Sequence, residues 1–233
     1  MKETVAVIPA FNEEKHIYDI VKKLKGIGLE VVVIDDCSHD ETASKALSAG
    51  ASVIRHISNM GYGAALQTGY KYAAMNGYSY LVQLDGDGQH EPDCAGSLLE
   101  PVIAKEADLC IGSRFMGRGK YTPTFLRSFG MMFFRLMLKA LTGKWVSDPT
   151  SGFQAMNRKV FSYLSGDSFP DDYPDADVIF MLLKAKAVIK EVPVTMYYNA
   201  DKSMHAGLAH NLYYMLKINL LLIAYCFKRI RKL

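Results

Sequence analysis

The 233-residue chain is half hydrophobic and 22% charged, which suits one sizeable folded domain and excludes a disordered segment. Its formal net charge of +3 is too small for a nucleic-acid-binding surface, and no basic–aromatic alternation of the RNA-binding kind is present. Four cysteines, Cys37, Cys94, Cys110 and Cys226, lack metal-ligand spacing and read as free thiols in a reducing compartment.

The opening MKETVAVIPAFNEE passes from about five apolar residues to acids, without the longer apolar core and cleavage site of a secretory signal, which points to the cytosol. Strand-like runs follow at residues 4–8, 30–34, 52–54, 80–84 and 108–111. Helical segments fill the gaps at 13–24, 41–49, 62–75 and 95–103. This alternation predicts an α/β fold, a parallel sheet wrapped by helices. Ligands of such sheets bind at the carboxyl ends of the strands. Those ends carry PAFNEE, DDCSHD, DGDGQH and GSRF, so one pocket can gather all four. Without an internal repeat or a low-complexity linker, residues 1–205 read as one domain and 206–233 as an amphipathic, membrane-associating segment.

Beyond Arg118 the character changes. Residues 124–142 read as a helix on which Arg127, Arg135 and Lys139 share one side with Ser128 and Thr142. Phe125, Leu126, Phe129, Met132, Phe133, Leu136, Met137 and Leu141 occupy the rest. Such a helix either packs on the core or lies in a membrane interface, apolar side down, with cations near lipid phosphates. Residues 212–227 repeat the composition and are followed by Lys228, Arg229, Arg231 and Lys232. Lys217 and Asn219 interrupt the run, leaving it short of the ~20 apolar residues of a spanning helix. Two such segments strengthen the membrane reading.

The stretch LVQLDGDGQHEP sets Asp85 and Asp87 at the end of a buried strand. Residues two apart in extended chain point the same way, so Asp85, Asp87 and Gln89 can present oxygens to one point. Mg²⁺ and Mn²⁺ take few protein carboxylates and complete their shells with water and substrate phosphates. The plain alternative is an Asp-Gly turn. Asp35 and Asp36 follow EVVVI, where an acid of a nucleotide-binding sheet accepts from a ribose or a base; capping of the next helix by Ser38 or Asp40 is compatible. GYGAALQTGY is no phosphate loop, and Gly61 and Gly63 read as a tight entry into a helix.

Taken as a set and in order, IPAFNEE, VIDDCSHDET, GYGAALQTGY, LDGDGQHEP, IGSRF and DPTSGFQAMNRKV resemble the family-two inverting glycosyltransferases. The resemblance covers residues 4 to 205 and is to the branch of dolichyl-phosphate mannose synthase and the bacterial polyprenyl-phosphate sugar transferases. It implies a GT-A-type, Rossmann-like mixed sheet flanked by helices, with amphipathic membrane-interface helices in the C-terminal half. It implies Mg²⁺ or Mn²⁺ at Asp85, Asp87 and Gln89, and nucleotide-sugar contacts at Pro9, Ala10, Asn12, Glu13 and Asp36. It places Arg114 and Arg127 near an acceptor phosphate, and Asp148 in the active site. Asp177, 14 residues before Glu191 of EVPV, falls where relatives usually carry Glu. Relatives often have Arg and a G-x-S-K ending after EVPV. Here YYNADKSMH has Asn199 and Asp201, with Lys202 or His205 as substitutes. Many relatives continue into transmembrane helices, which raises the expectation of a small membrane protein partner.

Together these features predict metal-dependent transfer from a nucleotide sugar, UDP-linked by analogy, to a polyprenyl phosphate at the inner face of the plasma membrane. Transfer to a saccharide hydroxyl would need Asp148 or Asp177 as base. A nucleotidyltransferase would carry a glycine-rich, basic signature after the first strand, where IPAFNEE is acidic. A non-catalytic nucleotide-sugar-binding protein is the reading from a different class.

Overall fold

The computed structural model describes residues 3–116, 125–167, 169–170, 174, 176–197 and 233, with residues 125–130 and 133 described by backbone alone. The first half forms as the hydrophobic runs predict. The strands are β1 (Thr4–Ala10), β2 (Glu30–Asp35), β3 (Ser52–Arg55), β4 (Tyr80–Gln83) and β5 (Leu109–Ser113). Between them lie α1 (Ile17–Gly26), α2 (Thr42–Ser48), α3 (Tyr62–Met75) and α4 (Ala95–Ile103). Helix α1 starts later than predicted because the backbone N–H of Glu13 donates to Thr42 Oγ1 at 2.8 Å and that of Glu14 to Asp40 Oδ2 at 3.2 Å. These bonds draw residues 13–16 toward the next loop before the helix can begin.

The second half adds α5 (Phe125–Thr142), β6 (Gln154–Asn157), α6 (Arg158–Leu164), α7 (Ala176–Lys184) and β7 (Ile189–Pro193). One sheet results, in the order β3-β2-β1-β4-β6-β5-β7. Six strands are parallel; β6 runs against both neighbours, with Gln154 opposite Gln83 of β4 and Ile111 of β5. The sheet is therefore mixed, and its odd strand positions the site.

Both faces of the sheet are covered, which explains why the central strands are continuous apolar runs. Val5, Val7, Val32, Ile34 and Leu81 pack under α3, α5, α6 and α7. Ala6, Ile8, Val31, Val33 and Val82 pack under α1, α2 and α4. Helix α5 buries Phe134 and Leu138 in the first of these layers, and Met131 is buried too, on the side of the wheel that also carries Arg127 and Arg135. Met132 and Leu136 are exposed. Arg135 thus adjoins the core while Lys139 is exposed, and part of the apolar side of the helix meets solvent. Among the described residues no helix is long and apolar enough to cross a membrane. The segment 206–232 lies outside the described residues.

Helix α3 approaches β1 so closely that a Cβ on Gly69 would sit 2.2 Å from Val7 Cγ1. Val7 is fully buried and cannot swing away. Gly69→Ala is expected to cost about 1–3 kcal/mol in urea unfolding. Combined with Val7→Ala it should cost measurably less than the sum of the two single changes. Strict additivity would show that the helix sits farther from the strand.

Candidate active site

The loops after β1 and β2 are laced together. Asn12 adopts φ 57° and Cys37 φ 64°, left-handed conformations uncommon for residues other than glycine. Asn12 is held there from both sides: its N–H donates to Ser38 Oγ at 2.9 Å, and its Oδ1 accepts from the His39 N–H at 2.9 Å. Asp35 and Asp36 are buried. Asp36 accepts from the N–H groups of Met60 and Gly61, both at 2.8 Å, and lies 2.7 Å from His56 Nδ1. The positive φ of Gly61, 92°, is the turn that aims this backbone before α3 begins. Asp36 therefore anchors residues 56–61 beside the carboxyl end of β2. Asp35 Oδ1 accepts from the Ser38 N–H, and Arg55 Nε lies 3.1 Å from its Oδ2.

After β4 the chain turns through the two aspartates. Gly86 passes so close to β1 that a Cβ there would meet Pro9 O at 3.3 Å, Ala10 Cβ at 3.4 Å and Glu13 Cγ at 3.5 Å. This contact joins the first loop to the DGDG turn. Gly88 takes φ +77° beside His16. Asp85 Oδ1 accepts from the Tyr62 hydroxyl at 2.8 Å. The Asp85 N–H donates to His90 Nδ1 at 3.1 Å, so that nitrogen carries no proton. His90 stacks on Phe153 with ring centroids 5.1 Å apart. Burial pushes its pKa down and outweighs the nearby Asp85 and Asp87 carboxylates.

Asp87 is clasped by Gln89, whose backbone N–H lies 3.0 Å from Oδ1 and whose Nε2 lies 2.9 Å from Oδ2. Gln89, the third residue of the expected ligand set, braces one of the two acids here through its amide nitrogen. Among the described residues no group of three or more His, Cys, Asp and Glu is positioned around a metal. Two carboxylates at one strand end, one of them partly exposed, suit a hard cation that keeps water and takes phosphate oxygens. They are unlike the closed cage of a structural zinc.

The reversed strand β6 delivers the loop 147–152 to this same edge. Tyr70 donates its hydroxyl to Gln83 Oε1, and Gln83 Nε2 donates to Gly152 O at 3.1 Å. A Cβ on Gly152 would meet Asp85 Oδ2 and the Tyr62 hydroxyl, each at 3.0 Å. Only the smallest residue leaves the Asp85 carboxylate its place. At the other end of the loop Asp148, fully buried, is gripped by Arg114. Nε and the backbone N–H lie 2.7 and 3.0 Å from Oδ2, and Nη2 lies 2.6 Å from Oδ1. This is a bidentate charge-assisted pair. Glu191 of β7 fixes the loop from behind, accepting from the N–H groups of Ser147 and Asp148 and from the Ser147 hydroxyl at 2.7–2.9 Å.

The structure thus gathers Pro9, Ala10, Glu13, Asp85 and Asp87 into one corner, with Arg114 and Asp148 joined through the 147–152 loop. Asn12 and Asp36 shape the adjoining loops. Asp177 is buried in the first turn of α7, which packs on α5. The Arg127 side chain lies outside what is described, as do Asn199, Asp201, Lys202 and His205. Tyr62, His90, Gly152 and Glu191 escaped sequence reasoning. The available signals were the aromatic inside GYG, the histidine closing DGDGQH and an acid inside the β7 run.

A mixed sheet with acids gathered at the carboxyl ends of its strands is an α/β architecture with its ligand crevice at that edge. The model of glycosyl transferase family 2 matches residues 5–164, and the chain belongs to that family. An uncharacterized protein of Methanocaldococcus jannaschii is 36% identical over 211 residues, covering 88% of this chain and 85% of that protein. A Micrococcus luteus protein named undecaprenyl-phosphate mannosyltransferase is 30% identical over 205 residues, 82% of each chain. The crystal structure of a Mycobacterium tuberculosis glucosyl-3-phosphoglycerate synthase, in complex with Mn²⁺, UDP-glucose and phosphoglyceric acid, superposes with a TM-score of 0.69. It covers 96% of this chain and 79% of that one at 20% identity, a likeness of fold. The chain is a glycosyltransferase.

Gly152→Ala isolates the contact with Asp85. It is expected to weaken Mn²⁺ binding in the presence of a nucleoside diphosphate by at least about tenfold and to lower turnover about a hundredfold. Stability should change by less than about 1 kcal/mol. Unchanged metal affinity, read by calorimetry, would show that Asp85 is not held through this loop.

Proposed function

We propose that this glycosyltransferase is a metal-dependent, inverting enzyme that moves a sugar from a UDP-linked donor to a polyprenyl phosphate at the cytoplasmic membrane face, for cell-envelope glycan synthesis. The observation that carries the choice of acceptor is the state of Asp148. Both its oxygens are taken by Arg114 and it is fully buried, so it is poorly placed to accept a proton from a sugar hydroxyl. A phosphate acceptor is already an anion and needs no base. Relatives named for polyprenyl- and dolichyl-phosphate transfer support this reading.

In this reading Pro9, Ala10, Asn12, Glu13 and the loop anchored by Asp36 cradle the nucleotide. Asp85 and Asp87 hold Mg²⁺ or Mn²⁺, with Gln89 and Tyr62 fixing the two carboxylates. The bound cation would stabilise charge on the departing diphosphate. Arg114 holds the acid loop in register, and Arg127 and Lys202 are assigned as further phosphate-binding cations. The exposed Met132, Leu136, Leu141 and Trp145, with Lys139 Nζ 5.7 Å from the Trp145 ring centroid, suit an interface with anionic lipid.

Purified protein given Mn²⁺, a panel of nucleotide sugars and a polyprenyl phosphate should yield radiolabelled lipid with one donor, and EDTA should abolish it. Asp87→Asn is expected to lower turnover by at least about a hundredfold. Asp177→Asn should keep turnover within about tenfold, because no general base is required. Near-complete loss in Asp177→Asn with metal and nucleotide binding intact would move the acceptor to a sugar hydroxyl.

A further inference from the structure

Two arginines flank the Phe115 ring. The Arg114 guanidinium carbon lies 5.8 Å from its centroid and that of Arg135, from α5, lies 4.3 Å from it. They differ in what they hold. Arg114 directs its Nε and Nη2 edge at the two oxygens of Asp148. In Arg135 the same two atoms are buried and meet no acceptor among the described residues. Burying such donors unmatched is costly, and the neighbouring acids accept no hydrogen bond from them. Asp148 is taken up by Arg114, and Glu191 by Ser147 and the Asp148 N–H. Burial lowers the Arg135 pKa, while Asp148 and Glu191 act to keep it charged. A charged, planar, two-donor edge inside the protein, with the Asp148 and Glu191 carboxylates that act on it committed elsewhere, calls for an anion from outside.

We propose that Arg135 receives the phosphoryl group of the acceptor, two of its oxygens on Nε and Nη2. This assignment rests on the reading of the acceptor as a lipid phosphate. The fork geometry suits two oxygens of a tetrahedral phosphoryl group, which a lysine at this position would meet only as a point charge. Arg135 lies on α5 between the buried Met131, Phe134 and Leu138 and the exposed Met132 and Leu136. A phosphate reaching it from the outer side would leave its prenyl chain along those exposed residues. The donor's diphosphate is the other source of phosphoryl oxygens, and it belongs to Asp85 and Asp87.

Calorimetric titration of the full chain separates the sources. The ligands are UDP with Mn²⁺, farnesyl phosphate, and uncharged farnesol as control. Arg135→Gln should weaken farnesyl phosphate at least about tenfold while leaving UDP within about twofold. Arg135→Lys should fall between, keeping the charge and losing the fork. With lipid acceptor the same variants should raise KM more than they lower kcat. Arg135→Met should melt no lower than wild type without ligand, because it removes an unmatched buried charge; a purely structural arginine would lower the melting temperature. Unchanged farnesyl phosphate affinity, no binding by wild type, or equal weakening of UDP would each overturn the assignment. Farnesyl phosphate binding that depends on Arg135, without sugar transfer to any lipid phosphate, would instead sustain it and overturn the lipid-acceptor reaction.

Discussion

The reversal of β6 is the constraint on which the site depends. In an all-parallel sheet the start of a strand lies at the opposite edge from the ligand crevice. Because β6 runs antiparallel between β4 and β5, its entry loop, 147–152, arrives where β4 delivers Asp85 and β5 delivers Arg114. Gln83 then ties Gly152 down through its amide, and the missing Cβ of Gly152 lets the Asp85 carboxylate lie against the loop. One strand direction thus joins an acid turn, a cationic strand end and a third acid.

Concentrating acids at one edge creates repulsion that the fold must offset. It does so differently at each position. Asp36 receives backbone N–H groups from a turn opened by Gly61. Asp148 receives a full guanidinium edge, and Glu191 takes two N–H groups and a hydroxyl. Asp87 is met by the amide and backbone of Gln89. Hydrogen bonds to a buried carboxylate replace the water it loses. These partners therefore offset the cost of holding several acids at one edge of the sheet.

Much of this was legible because buried parallel strands are written as unbroken apolar runs. EVVVI and LVQL announce themselves, and their acidic ends mark the crevice. Strand β6 does not, since QAMN is four residues long, carries polar groups at both ends and runs directly into α6. Glu191 was legible only as a landmark. Its task depends on β7 lying beside β5 in register with Ile111, a pairing between residues 80 apart. For Gln89, period-two alternation set its direction toward Asp87, which it meets through backbone and amide alike.

Helix α5 carries the same lesson into function. A helical wheel groups Arg127, Arg135 and Lys139 without saying what covers that side. Sequence composition favoured apolar residues inward, or into lipid, with the cations outside. Tertiary packing took Met131, Phe134 and Leu138 for the core instead, and Arg135 turned inward with them. The energetic consequence is an arginine edge without an acceptor among the described residues, beside two carboxylates already in use. Hydrophobic burial along the helix offsets that cost. The same packing that stabilises the helix holds a guanidinium edge beside the Asp148 loop, which links the choice of core residues to the chemistry at the sheet edge.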